Sequence, residues 1–262
     1  MLAAPYFLVG FQRSGTTALA GVLNAAFRAA GGCFTINGRL PYLLRRWYTA
    51  EDLEHRHARA DEVAHALARR AFTFPEADAW LERTRAALDA SARRVADESA
   101  APDLRDELQR VCVDAYGGAE PWGDKYNEYL LDLDDLAWLF PTARWIFLVR
   151  DPWSVTESMG RWRGKIWNPA LGERQYEKWA AWNSRWLRFR GSVDEDRRLE
   201  LEYRTLGNGA AIERLADFTG TDVAAHAGAL RPVAKAPADG LPATARRVWR
   251  ELAELGLVSA AG

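Results

Sequence analysis

Residues 7–17 read FLVGFQRSGTT. The first three form a short apolar run typical of a buried strand, and Gly10 and Gly15 follow with the spacing of a phosphate-binding loop. A nucleoside triphosphatase carries Lys directly after the second glycine, but here Thr16 occupies that position and the cation, Arg13, lies inside the loop. The backbone N–H groups of such a loop, together with the N-terminus of the next helix, can bind an anion. The stretch therefore predicts a strand, an anion-binding loop and a helix, without the lysine that contacts the β and γ phosphates of ATP.

A second phosphate-binding pattern lies further along the chain. Residues 143–149 read ARWIFLV, a second buried strand, and Arg150 follows at its end. Asp151 is a suitable cap for a helix beginning at Pro152, and Ser158 falls on that helix eight residues after Arg150. An arginine fork and a hydroxyl donor suit a phosphate group. Taken singly, the two side chains could equally be a surface ion-pair partner and a solvated helix residue.

Between these patterns, residues 122–129 read WGDKYNEY. Asp124 and Lys125 are either a neighbouring surface pair of opposite charge, which stabilises a protein by less than about 1 kcal/mol, or a proton acceptor beside a cation. If the segment's register differs from this expectation, Asn127 or Glu128 faces the cleft instead.

Together these motifs resemble the sulfotransferases that use 3′-phosphoadenosine-5′-phosphosulfate (PAPS), which place Lys or Arg before Ser-Gly-Thr-Thr. The resemblance extends over most of the chain in order, and residues 199–206 (LELEYRTL) are similar to the family's late Arg-Tyr-Glu-Asp-Leu strand, with departures. It implies that the phosphate loop binds the 5′-phosphosulfate and that Arg150 and Ser158 hold the 3′-phosphate. The nucleotide-binding residues it implies are Gln12, Arg13, Ser14, Gly15, Thr16, Thr17, Arg150, Ser158 and Tyr203.

The same resemblance suggests catalytic roles. Glycan-modifying members have Glu-Lys with an aromatic residue four positions later, a pattern similar to Asp124-Lys125 with Tyr129. It implies that Asp124 is the base, and that Lys125 and Arg13 stabilise charge at the transferring group. The cytosolic branch has a histidine base two residues after the equivalent lysine, and Asn127 stands there in this chain.

Two further features of the cytosolic branch are missing. Ala18 replaces the tryptophan that stacks on adenine, and there is no late Arg-Lys-Gly loop. Lys235, Arg246 and Arg247 are cations in the late part of the chain, and none of them is assigned a role.

Composition excludes several classes of function. Lys+Arg 35 against Asp+Glu 36 gives a formal net charge of -1, which does not favour binding to nucleic acid or to an anionic membrane. The cysteines, Cys33 and Cys112, lie far apart without metal-ligand spacing, so no metal site is expected. The start of the chain has no basic leader, and no apolar run is long enough to cross a bilayer. We therefore expect a soluble, cytoplasmic protein without a membrane partner; the oligomeric state is not predicted.

Strands and helices alternate, which predicts an α/β fold: a central parallel sheet flanked by helices, in a single domain over residues 1–262. The predicted strands lie near residues 6–10, 33–36, 144–149 and 199–203. The predicted helices lie near residues 15–29, 130–139, 153–162, 173–190, 209–219 and 242–255, with a helical region over 51–115 that breaks near 74–75 and 101–102. Ligands bind such sheets at the carboxyl ends of the strands, where both phosphate-binding patterns would meet.

The chain has Trp 12. Trp179, Trp182 and Trp186 share one helix face and are expected in the core. Trp162 and Trp167 flank a basic, loop-like segment, where they could line a pocket for an aromatic or sugar acceptor. The four histidines are expected on the solvated surface.

The sequence thus predicts a sulfotransferase that moves a sulfuryl group from PAPS to a hydroxyl of a small molecule or carbohydrate, with 3′-phosphoadenosine-5′-phosphate (PAP) as product and without a metal. Two alternatives stay open. One is a P-loop small-molecule kinase, against which the missing loop lysine argues. The other is a nucleotide-binding module without catalysis, against which Arg13, Asp124 and Lys125 together argue.

Overall fold

The computed structural model describes residues 4–97, 102–161, 173–230 and 240–259. Its sheet has five parallel strands in the order β2-β3-β1-β4-β5. The strands are β1 (Tyr6–Val9), β2 (Cys33–Ile36), β3 (Trp122–Lys125), β4 (Arg144–Val149) and β5 (Arg198–Glu202). This confirms the predicted α/β fold with a central parallel sheet.

Helices connect the strands and cover the sheet. They are α1 (Thr16–Ala29), α2 (Leu40–Trp47), α3 (Ala50–Glu54), α4 (Ala60–Ala68), α5 (Ala77–Asp97), α6 (Leu104–Ala115), α7 (Leu133–Leu139), α8 (Pro152–Arg161), α9 (Glu173–Phe189), α10 (Gly209–Thr219) and α11 (Ala243–Glu254). None of the described helices has the length and apolar character needed to span a membrane.

The structure differs from the sequence-based boundaries mainly between β2 and β4. The helical region predicted over 51–115 consists of α3, α4, α5 and α6, and α2 precedes it without having been predicted. β3 was not predicted as a strand, because its sequence WGDK contains no β-branched residue and two charged ones. The helix predicted near 130–139 begins only at Leu133, after a short 3₁₀ helix over Asn127–Leu131.

Local signals account for several helix boundaries. The Asp151 carboxylate accepts a hydrogen bond from the backbone N–H of Ser154 at 2.7 Å, so the predicted cap of α8 forms. Asn208 caps α10 in the same way, and Gly220 ends that helix in the left-handed conformation.

Aromatic side chains fill the core beside the sheet. Phe147 of β4 stacks on Trp186 with ring centroids 4.8 Å apart, and Phe7 of β1 packs against Trp145 at 5.4 Å. Trp179 and Trp186 are fully buried, as the helical spacing of the tryptophans predicted, while Trp182 is partly buried against Phe11. Trp162 and Trp167, the candidates for an acceptor pocket, lie outside the described residues.

The strand order determines what can meet at the carboxyl edge of the sheet. β1 is central, with β4 and β5 on one side and β3 and β2 on the other. The phosphate loop therefore lies between two sets of strand ends: Arg150 and Tyr203 follow β4 and β5, whereas Lys125 ends β3 and Asn37 follows β2.

Candidate active site

The phosphate loop connects β1 to α1, and both of its glycines are required by close contacts. A Cβ atom built at Gly10 would lie 2.4 Å from the carbonyl oxygen of Leu148. At Gly15, φ is +89°, and a Cβ atom would lie 2.0 Å from Cε2 of Tyr203. The loop is therefore pressed against β4 and against the residue that follows β5.

On the β4 side, four predicted nucleotide-binding residues contact one another. Arg13 Nε donates a hydrogen bond to Ser158 Oγ at 3.1 Å, and Arg150 Nη1 donates to the carbonyl oxygen of Arg13 at 3.2 Å. The Arg150 guanidinium also lies over the Tyr203 ring, 4.7 Å from its centroid. Arg150 Nε is buried and makes no hydrogen bond within the described residues. The fold thus brings together two cations and a hydroxyl on this side of the loop.

Trp179 packs next to this cluster and contacts the backbone of Arg150. Its indole Nε1 donates a hydrogen bond to the carbonyl oxygen of Arg150 at 3.1 Å, and its ring is fully buried. Sequence analysis placed Trp179 in the core but did not predict this contact. The helical spacing of Trp179 predicts a buried ring, but it gives no indication that the indole N–H holds the backbone at the end of β4.

On the β3 side, Lys125 reaches the loop from the end of its strand. Its ammonium donates hydrogen bonds to Asn37 Oδ1 at 2.9 Å and to Thr17 Oγ1 at 3.4 Å, and only 3% of the residue is exposed. Burial lowers the pKa of Lys125 to about 8, against an opposing effect of the carboxylates of Asp124 and Glu128. An anion bound beside this ammonium would favour its charged form.

Asn37 was missed by sequence analysis. It follows β2 with φ of +61°, a conformation that asparagine tolerates better than most residues, and its N–H donates to the carbonyl oxygen of Lys125 at 2.7 Å. An asparagine just beyond a strand is a turn signal, and nothing in the sequence pairs it with a lysine 88 residues away.

Asp124 lies on the opposite face of β3 from Lys125 and is fully buried. Its carboxylate accepts hydrogen bonds from Thr35 Oγ1 at 2.7 Å and Tyr129 OH at 2.6 Å. It also accepts from the backbone N–H groups of Gly38 at 3.0 Å and Arg39 at 2.7 Å. Burial raises the pKa of Asp124, with all four donors opposing the shift. This carboxylate ties β3 to the segment after β2 and does not reach the loop.

Glu128 is a carboxylate in the lining of the cleft that the phosphate loop also lines. It lies in the 3₁₀ helix after β3, is half-buried, and is close enough to Lys125 to affect its ionisation. The neighbouring Asn127 accepts a hydrogen bond from Thr16 Oγ1 at 3.4 Å.

These groups surround a cavity of about 480 Å³. Its lining comprises Gln12, Arg13, Gly15, Thr16, Thr17, Asn37, Arg70, Lys125, Tyr126, Asn127, Glu128, Arg150, Ser158, Met159 and Tyr203. Among the described residues, the predicted site members absent from this lining are Asp124 and Ser14; the Ser14 hydroxyl is buried without a hydrogen-bond partner. Of the late cations without a role, Arg246 donates to the carbonyl oxygen of Leu241, and Lys235 lies outside the described residues.

Comparisons with known proteins identify the fold and the family of this chain. Among the solved structures that share the fold are two sulfotransferase domains. One is a sulfotransferase domain from the curacin biosynthetic pathway, with TM-score 0.58 and 17% identity over 96% of this chain and 98% of that one. The other is a sulfotransferase domain from the Synechococcus PCC 7002 olefin synthase, with TM-score 0.55 and 20% identity over 99% of this chain and 92% of that one. No curated protein matches the chain. Residues 5–225 match the profile of the Sulfotransferase family, from the first strand to beyond α10, and the chain belongs to that family.

Proposed function

We propose that this protein transfers a sulfuryl group from PAPS to a hydroxyl of a small molecule or sugar. The observation that carries the proposal is the arrangement of cations around a loop that lacks the ATP-binding lysine. Arg13 and Arg150 lie on one side of the loop with Ser158, and Lys125 lies on the other beside Thr17. A donor with phosphate groups at two positions of one ribose needs anion-binding groups at two separated places, and this cavity offers both.

The described residues fit such a donor. The loop N–H groups and Lys125 would hold the 5′-phosphosulfate, and Arg150 with Ser158 would hold the 3′-phosphate. The buried, unpartnered Nε of Arg150 supports this assignment, because a buried donor without an acceptor is costly and an incoming phosphate would satisfy it. PAPS supplies the sulfuryl group and a phosphate leaving group, and the backbone and side chains of the protein bind the donor, accept the proton and stabilise the charge.

We assign the proton-accepting role to Glu128 in place of Asp124. A base must come within hydrogen-bond reach of the acceptor hydroxyl, and Glu128 lines the cavity whereas Asp124 is enclosed by its own four donors. Lys125 and the loop N–H groups stabilise the negative charge that develops on the leaving phosphate. Asp124 acts on the site indirectly, by holding Asn37 in place through the segment after β2.

Calorimetry with PAP and with 5′-AMP tests the nucleotide assignment. PAP is expected to bind roughly 10- to 150-fold more tightly, since its 3′-phosphate gains a charge-assisted contact with Arg150. Arg150→Met should remove most of that difference, whereas Arg110→Met, at an exposed arginine of α6, should not. Equal affinities for PAP and 5′-AMP in the wild-type protein would contradict the assignment.

Transfer of labelled sulfate separates this proposal from the kinase alternative. Transfer from labelled PAPS to hydroxyl acceptors is expected to persist in EDTA, because Thr16 stands where a kinase has the lysine that works with Mg²⁺ on the triphosphate. Phosphate transfer from ATP that disappears with chelator and returns with Mg²⁺ would establish the kinase instead.

A further inference from the structure

A second cavity, of about 500 Å³, opens beside the active site. Its lining comprises Arg39, Trp47, Glu62, His65, Ala66, Arg69 and Arg70. Arg70 lines both cavities. Tyr126, in the wall of the active site, is close enough to Glu128, Arg39 and Arg70 to interact electrostatically with all three. The two cavities are therefore neighbours on the β3 side of the phosphate loop.

Arg39 is the unusual residue of this second cavity. It is only 8% exposed, with φ of +50°, and its backbone N–H is held by Asp124. One guanidinium nitrogen, Nη2, donates to the carbonyl oxygen of Ala66 at 2.5 Å, but Nε makes no hydrogen bond and no carboxylate pairs with the side chain among the described residues. A buried guanidinium without a counterion destabilises a protein unless an anion is supplied.

The remaining charges around the cavity also favour an anion. Arg69 and Arg70 are exposed and form no ion pair within the described part of the chain. The single acid in the lining, Glu62, is already paired with Arg59 at 3.3 Å. Trp47, which is 37% exposed, adds a flat apolar surface to the rim.

We propose that this second cavity binds an anionic group of the acceptor, a carboxylate or a phosphate, while the acceptor's hydroxyl lies in the active site near Glu128 and Lys125. Arg39 and Arg70 form the contacts, because a guanidinium fork matches either group with two parallel hydrogen bonds. The inference rests on the proposed function and narrows its acceptor class to hydroxylated organic acids and phosphate esters. Trp47 and the apolar part of the lining favour acceptors with a hydrocarbon portion next to the charge.

The test uses ω-hydroxyalkanoates of six to ten carbons, the ω-hydroxyalkyl phosphates of the same lengths and the matching unbranched primary alcohols. Binding to the full chain is measured by calorimetry with PAP present, and again without it. At least one acid or phosphate is expected to bind about tenfold or more tightly than its uncharged alcohol. The comparison between carboxylates and phosphates identifies which anion the cavity prefers.

Variants assign the effect to the cavity. Arg39→Gln and the double variant Arg69→Gln/Arg70→Gln should each abolish most of the preference for the charged compounds, whereas Arg110→Gln, which removes the same charge elsewhere on the surface, should leave it intact. Should Arg39→Gln fail to fold, the double variant still decides the matter, since Arg69 and Arg70 are exposed and their substitution disturbs no buried side chain. A preference that survives all of the cavity variants would overturn the proposal.

The outcomes distinguish this inference from the function on which it rests. If labelled sulfate is transferred but charged and uncharged acceptors bind and react equally well, the anion site is wrong and the sulfotransferase function stands. If the acids bind through Arg39 and Arg70 but neither PAP binding nor sulfate transfer is detected, the cavity is an anion site and its role in an acceptor is wrong, together with the proposed function.

Discussion

Lys125 is almost fully buried, and its hydrogen bonds go to Asn37 and Thr17 rather than to a carboxylate. The same burial that places its charge beside the phosphate loop lowers its pKa from 10.5 to about 8. The unfolded chain therefore binds the proton more tightly than the folded protein between these two values. Below about pH 8, the burial of charged Lys125 lowers the free energy of unfolding by about 3 kcal/mol. This free energy rises as the pH increases from about 8 to 10.5, because folded Lys125 loses its proton over that range.

This pKa predicts a pH dependence for the free enzyme. Above about pH 8, kcat/KM for the sulfuryl donor should fall by about tenfold per pH unit, because neutral Lys125 cannot stabilise the developing negative charge. In Lys125→Arg the alkaline limb should disappear, even if the overall rate is lower, because arginine stays charged throughout this range. Lys178, whose pKa is also lowered by burial, provides the control. An alkaline limb that moves in Lys178→Arg and not in Lys125→Arg would mean that the titrating group has been misassigned.

The carboxylates of Glu128 and Asp124 are predicted to behave differently on substitution. Glu128→Gln should reduce turnover by about 10²–10⁴ with little change in PAP affinity or stability, because it removes a half-buried base from the cavity wall. Steady-state kinetics and PAP titration measure these effects.

Asp124→Asn should instead lower the free energy of unfolding by about 1–3 kcal/mol, because an amide NH₂ group cannot accept from the donors that surround this carboxylate. Any loss of turnover should accompany that destabilisation. Full activity in Glu128→Gln, with a large loss of turnover in a stably folded Asp124→Asn, would identify Asp124 as the base.

At the scale of elements, the junction of β1, the phosphate loop and α1 depends on a close approach by the residue after β5. Gly15 combines φ of +89° with the Tyr203 ring in contact. Gly15→Ala should therefore reduce PAP affinity by at least about tenfold, since either the loop or Tyr203 must move, and Arg150 lies over that ring.

Gly21→Ala, in the helix that follows the loop, is the matched control. Gly21 is exposed in α1, and nothing lies within 4 Å of a Cβ built there. Alanine is expected to raise the free energy of unfolding by about 0.5–1 kcal/mol without changing PAP affinity. Equal PAP affinities for wild type, Gly15→Ala and Gly21→Ala would show that the close contact does not support the site.

At the scale of the whole molecule, the cavity collects groups from the ends of all five strands. A ligand that bridges them should therefore stabilise the sheet as a unit. At a PAP concentration about 100 times its Kd, the free energy of unfolding should increase by about 2.7 kcal/mol, and 5′-AMP at the same concentration should have a much smaller effect. Denaturant titration with and without each nucleotide measures this. Equal stabilisation by the two nucleotides would contradict a 3′-phosphate site, and addition of EDTA should change neither value.

The sequence was a sufficient guide to elements whose signals are local. The apolar runs of β1 and β4 and the cap of α8 depend on neighbouring residues, so they could be recognised without knowledge of the rest of the chain. β3 and α2 could not, because WGDK has a strand's position without a strand's composition and α2 begins with Pro41 at its second residue. Because β3 was not predicted as a strand, the sequence did not indicate that Asp124 and Lys125 point to opposite faces of the sheet.

By itself, the sequence determined the loop and the α/β class and placed Arg13 and Arg150 at the same edge of the sheet, because residues that follow parallel strands lie together at their carboxyl ends. Tertiary structure alone decided which carboxylate faces the cavity, because the alternation of side chains along β3 turns Asp124 away and the following 3₁₀ helix presents Glu128. It also decided the partner of Lys125 and the position of Arg39 and Arg70 beside the active site. Those contacts join the β3 side of the site to segments 55 to 90 residues earlier in the chain. Only the pairing of β2 with β3, and the packing of α4 against the α2 helix that follows β2, brings them together.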